Sequence, residues 1–159
     1  MDNSTYVFHI TCVMHNTRVS ERMKRYNVRT ENPVNLDENQ EIILTQIISD
    51  IVRKYNYIIL AFNICKDHIY FVILCDFKKL PAIINIIKSI SSRKFYEELH
   101  LFPKLWAEKF NRKVIDKDKQ LTDTINYVNY NRIKHNLNEN DELKKEIEEM
   151  ITPFDEAFI

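Results

Sequence analysis

Two apolar runs, YIILAFNIC (57 to 65) and IYFVIL (69 to 74), stand almost end to end, with only a short polar interruption at Lys66 and Asp67 between them. Both are rich in β-branched and aromatic residues, so they read as two strands of a β-hairpin turning at that interruption. A hairpin commits the chain to an antiparallel sheet, and the flanking segments must cover it. Before it, ENQEIILTQIISDIVRKY (38 to 55) spaces Ile43, Ile47, Ile48, Ile51 and Val52 as one helical face. After it, KKLPAIINIIKSISSRKFYEEL does the same with Leu80, Ile83, Ile84, Ile87 and Ile90.

STYVFHITCVMH (4 to 15) reads as a first strand and residues 110 to 115 as a short last one. KQLTDTINYVNYNRIKH reads as a third helix, with Leu121, Ile125, Val128 and Arg132 spaced along it, and 139 to 151 as a fourth. The resulting order is that of an α+β, ferredoxin-like βαββαβ antiparallel sheet with helices on one face and an added C-terminal helix. At 159 residues the chain can bury one real core and no second. The expected domain runs over 1 to 137, followed by an acidic helix or tail over 138 to 159.

Glycine is wholly absent, which excludes a P-loop or a Gly-rich dinucleotide cradle, since both need backbone that only glycine supplies. Neither apolar run approaches the ~20 residues of a membrane span. The N-terminus lacks the features of a secretory signal, so an intracellular, cytoplasmic protein without a membrane partner is expected. Cys12, Cys65 and Cys75 lack the paired spacing of thiolate metal sites and read as buried reduced thiols. Trp106 reads as core, and His15, His100 and His135 read as isolated surface histidines.

The formal net charge is zero, but it is unevenly spread. Residues 1 to 137 hold 21 Lys and Arg against 15 Asp and Glu, while residues 138 to 159 hold 2 against 8. A basic body suits a polyanionic partner. The acidic tail is either an ordinary solvated helix or a mask over a basic groove.

Strand alternation puts His68, Tyr70 and Val72 on one face of the second hairpin strand. On the third helix Tyr127 and Asn131 are four residues apart and share a side. CKDHIYFVIL resembles the metal-binding strand of the single-tyrosine HUH transposases, in which a histidine, a hydrophobic residue and a second histidine follow a hairpin turn. LWAEKFNRKVIDKDKQLTDTINYVNYNRIKHNL is similar to the C-terminal half of the same family, particularly the REP-associated tyrosine transposases. There a strand after a Trp leads into a helix with a nucleophilic tyrosine, an Asn four residues on and a Lys beyond, at positions occupied here by Trp106, Tyr127, Asn131 and Lys134.

The resemblance spans about residues 5 to 137 and implies a strand transferase or nickase acting on single-stranded DNA with hairpins, working as a homodimer. Tyr127 would take the 5′-phosphate and release a 3′-hydroxyl, while His68 and Asn131 hold Mg²⁺ or Mn²⁺. The second histidine of the motif is Tyr70 here, and a phenol is a poor ligand at neutral pH. Asp67 could supply an oxygen ligand instead, or His9 an imidazole from the first strand. Otherwise the chain is a domesticated, catalytically impaired binder of DNA hairpins on the same fold. Phosphate contacts would come from Arg18, Arg22, Lys24 and Arg25 in the first loop, from Lys109, Arg112 and Lys113 around the last strand, and from Lys134.

Overall fold

The computed structural model describes residues 4–16 and 33–158. Its sheet is four-stranded and antiparallel, built from β1 (Thr5–Val13), β2 (Ile58–Cys65), β3 (His68–Asp76) and β4 (Asn111–Ile115) in the order β2-β3-β1-β4. With α1 (Glu38–Tyr55) and α2 (Leu80–Leu99) this is the ferredoxin-like βαββαβ arrangement. Beyond it lie α3 (Asp118–Asn129), the single turn α4 (Asn131–Lys134), α5 (Asp141–Met150) and α6 (Phe154–Ala157).

The start of α1 is fixed locally. Asp37 Oδ1 accepts from the Gln40 amide at 2.8 Å and Gln40 Oε1 accepts from the Asp37 amide at 3.0 Å. This reciprocal capping box is worth roughly 0.5–2 kcal/mol. Helix ends usually call for glycine in the left-handed region, and this chain has none. Asn56 closes α1 at φ 55° and His100 closes α2 at φ 53°, each with its own amide bonded back into the last turn. Asparagine tolerates that conformation better than most residues with a side chain.

The two faces of the sheet are covered by different helices. Phe8, Ile10, Phe62, Ile64, Phe71 and Ile73 face α1 and α2 and form the main core with Leu44, Ile48, Ile84 and Phe95. Trp106 belongs to this core, its indole N–H donating to Ser91 Oγ at 2.9 Å. On the opposite face Val7, Leu60, Ala61, Val72, Leu74 and Ile115 meet Val128, Leu121 and Ile125 of α3. The expectation of helices on one face thus holds for α1 and α2, while α3 covers the other. Two amphipathic layers are possible because β1 and β3 are apolar on both sides.

A β-bulge in β2 prepares the site. Ile59 pairs with Ile73 and Ala61 with Val72, leaving Leu60 as an extra residue. Leu60 and Ala61 both face α3, so the alternation is rephased and Asn63 and Cys65 emerge on the α3 side, with Phe62 and Ile64 in the main core. Asn63 Nδ2 then donates to the carbonyls of Val128 at 2.9 Å and Asn129 at 3.2 Å. Those acceptors would otherwise serve the amides four residues on, so the expected single helix from 119 to 135 is broken at Tyr130.

The segment from 139 onward packs on this frame. Leu143 and Met150 are buried in the main core, and the Thr152 amide donates to the Ile59 carbonyl at 2.8 Å, covering the β2 edge. Among the described residues no helix is long and apolar enough to cross a membrane.

Candidate active site

The end of the hairpin, the start of α4 and the middle of β1 converge on the α3 face. His68 opens β3 and is buried, its Nδ1 2.6 Å from Asp67 Oδ1 and its Nε2 3.3 Å from Asn131 Oδ1. The carboxylate fixes the ring and leaves Nε2 turned to Asn131. Asn131 is 1% exposed, and its Oδ1 also accepts from Cys65 Sγ at 2.7 Å. Its Nδ2 is buried without a hydrogen-bond partner among the described residues. Burial pushes the Cys65 thiol up to about 12, so it stays protonated and acts as a donor.

Tyr127 lies 39% exposed beside this pair. Its ring is 5.7 Å from that of Tyr70 and 6.1 Å from that of His9, with Lys134 Nζ 5.0 Å above its face. Tyr70 lies edge-on to His68, with ring centroids 4.7 Å apart. His9 Nε2 is buried without a hydrogen-bond partner among the described residues. Burial, and then Lys113, holds its pKa below the usual histidine range, so the ring is a neutral acceptor at neutral pH. Alongside runs a cleft of about 540 Å³ lined by His9, Tyr127, Lys113, Lys117 and Lys119.

An imidazole and an amide oxygen at ligand spacing are buried on the α3 side of the sheet, and a tyrosine on a helix stands nearby beside a lysine-lined cleft. The sequence pattern of the IS200-like transposases matches residues 8–131, which contain all of these but not Lys134. The chain belongs to that family. Its function is accordingly that of a transposase, and its partner is DNA. The solved structures include a REP-associated tyrosine transposase bound to a REP hairpin, 17% identical, with a TM-score of 0.54 over 82% of this chain and 68% of that one. Another, a transposase from Deinococcus radiodurans, is 12% identical with a TM-score of 0.47, covering 85% of this chain and 93% of that one. The first likeness extends to the fold. No curated protein matches.

The transposase fold brings together Tyr127, His68, Asn131, Tyr70, Asp67, Lys113 and Lys134. Asp67, expected as an oxygen ligand, is instead engaged at His68 Nδ1, the ring nitrogen away from Asn131. Arg112 does not join the site. It pairs with Ile10 in the strand register and its guanidinium sits 5.4 Å from the Phe77 ring centroid, on the α1 and α2 side of the sheet. Lys109 lends its backbone carbonyl to Lys88 Nζ at 3.1 Å. Arg18, Arg22, Lys24 and Arg25 lie outside the described residues.

Two lysines and a histidine were missed. Lys117 and Lys119 line the cleft because they flank the start of α3. His135, read as a surface residue, has its ring 5.5 Å from that of His68. Its spacing, four residues after Asn131 and eight after Tyr127, was the available signal.

Proposed function

We propose that this chain is a metal-dependent strand transferase that nicks hairpin-bearing single-stranded DNA through a 5′-phosphotyrosine intermediate. The observation that carries this reading is a part-exposed Tyr127 on the same face as the His68 and Asn131 pair, bordered by lysines. In the forward step the Tyr127 hydroxyl oxygen bonds to the scissile phosphorus and the bond to the 3′-oxygen breaks. The 5′-phosphate stays on the tyrosine and the departing oxygen becomes a 3′-hydroxyl. The phenolic proton passes to solvent from the part-exposed Tyr127, and Lys134 Nζ stands 5.0 Å from the centroid of the tyrosine ring. Attack by a 3′-hydroxyl on the phosphotyrosine restores Tyr127 and joins the strands, so no nucleotide cofactor is required.

The donor set fits a hard divalent ion. Adjacent ligands on an octahedral Mg²⁺ or Mn²⁺ with bonds of about 2.1 Å stand about 3 Å apart, close to the 3.3 Å between His68 Nε2 and Asn131 Oδ1. When bound, the ion would polarise the phosphate and offset charge on its oxygens. His68 and Asn131 would hold it, and Asp67 would keep the imidazole oriented. Shape recognition of hairpin DNA and assembly as a homodimer belong to the same reading. Sedimentation velocity of the free and DNA-bound protein tests the dimer.

The deciding experiment incubates the protein with a hairpin oligonucleotide and Mn²⁺, then denatures it. A covalent adduct should survive in wild type and vanish in Tyr127→Phe. Hairpin binding without any adduct, in a protein that binds Mn²⁺, would support the catalytically impaired binder.

A further inference from the structure

The strand position that would carry a second imidazole holds Tyr70, yet a second imidazole does reach His68 from elsewhere. We propose that His135 completes the metal-ligand set of this transposase, so that the ion is held by His68, Asn131 and His135. The proposal rests on the metal-dependent reading above and specifies which side chains make that site.

Three observations point the same way. A ligand atom each from Cys65, His68 and His135 lies within 4.8 Å of the others. Two ligands on opposite sides of an ion with bonds of about 2.1 Å are about 4.2 Å apart, so the exposed His135 side chain has only a small adjustment to make. Next, Asn131 and His135 are one helical turn apart, and the His135 amide donates to the Asn131 carbonyl at 3.2 Å. Helix-borne ligand pairs at this spacing project from one side. Finally, a cavity of about 340 Å³ opens beside Cys65, Asp67, His68 and His135, with room for the ion's waters and an incoming phosphate.

The neighbouring groups have other employment. Asp67 is spent on His68 Nδ1, and Cys65 donates its S–H to Asn131 Oδ1. With Asp67 and Cys65 so engaged, the remaining imidazole, amide and imidazole set suits Mn²⁺ and Mg²⁺ better than a thiolate site would. Tyr70 packs against His68 as a wall, ring edge to ring face.

Mn²⁺ binding to the DNA-free full-length protein, followed by electron paramagnetic resonance, tests this without any turnover. His135→Ala should weaken Mn²⁺ binding by about tenfold or more while leaving the metal-free melting temperature unchanged. Tyr70→Phe should bind Mn²⁺ as wild type does. In the His135→Ala background Tyr70→His should restore binding by returning an imidazole to the strand. Wild-type affinity in His135→Ala, with binding lost in His68→Ala, would overturn the proposal while leaving a metal site at His68 standing. A Co²⁺ complex with a thiolate charge-transfer band that disappears in Cys65→Ser would also overturn it. Absence of Mn²⁺ binding in wild type would do the same. A Tyr127 adduct forming fully under chelator would instead remove the metal-dependent reading itself.

Discussion

Arg132 joins more of the molecule than any other charged side chain around the site. Its guanidinium is buried, paired with Glu41 of α1, and donates to the carbonyls of Ile64 at 3.0 Å and Asn138 at 2.9 Å. Burial pushes the Glu41 carboxyl up, and Arg132 opposes that rise. Arg132→Met should therefore cost about 3–5 kcal/mol in urea unfolding, because it strands a buried carboxylate. Its pH dependence has a definite sign. A carboxyl whose folded pKa lies above its unfolded value takes up protons on folding, so stability falls as pH rises from the unfolded value through the folded one. The Arg132→Met deficit should be larger at neutral pH than in mild acid, and a pH-independent deficit would count against the stranded charge. The thiols give a second test at this scale. Burial raises Cys12 to about 12 and Cys75 to about 11, so a thiolate-specific reagent should label the native protein slowly at neutral pH. Half-buried Cys75 should react ahead of Cys12, and rapid native labelling of Cys12 would contradict the packing.

Among the elements, β2 does the most for the site, because its bulge at Leu60 decides which side chains meet α3. Asn63→Leu keeps the volume but removes both hydrogen bonds to the end of α3 and the one its Oδ1 accepts from the Ile64 amide, leaving the buried Val128 carbonyl and Ile64 amide short of a partner at about 1–3 kcal/mol. The adduct yield should drop further than the stability loss alone accounts for, since Asn131 is positioned by that helix break. A proportional loss would assign Asn63 a purely structural role. This junction marks where the sequence stops being legible. The hairpin and both α1 and α2 follow from local periodicity, which encodes which face a side chain occupies, whereas the encounter of His68 with Asn131 joins two elements and was expected only from the family resemblance. Leu60 as a bulge does not follow from periodicity, because IILAFNIC is apolar at nearly every position and carries no alternation for the bulge to interrupt. Nor does the break at Tyr130, which is imposed by a side chain 67 residues earlier. His135 was passed over for the same reason: its partner comes from a different element.

At the scale of the whole molecule, charge is arranged across the width of the sheet. Lys113, Lys117 and Lys119 line the cleft at the β4 edge, whereas the acidic C-terminal segment closes the β2 edge. With strands about 4.8 Å apart, the two edges of a four-stranded sheet are separated by more than the Debye length of about 8 Å at physiological salt. Several tail acids are also engaged locally: Glu139 lies 2.7 Å from Lys144 Nζ, and Glu146 accepts from Gln46 at 3.3 Å. Masking of the cleft by the tail and support of the core by the tail can then be separated. Truncation after Leu137 removes Leu143 and Met150 from the main core and should lower the melting temperature, whatever it does to DNA. Replacing exposed Glu142, Glu148 and Glu149 with Gln leaves that packing intact and should change single-stranded DNA affinity less than threefold near physiological salt. Lys113→Gln, Lys117→Gln and Lys119→Gln together should weaken binding and flatten the dependence of log affinity on log salt by about 2, at about 0.7 per lost phosphate contact. If the acidic substitutions instead tighten binding by tenfold or more while the lysine substitutions leave the salt slope unchanged, the DNA path runs along the tail and not through the cleft beside Tyr127.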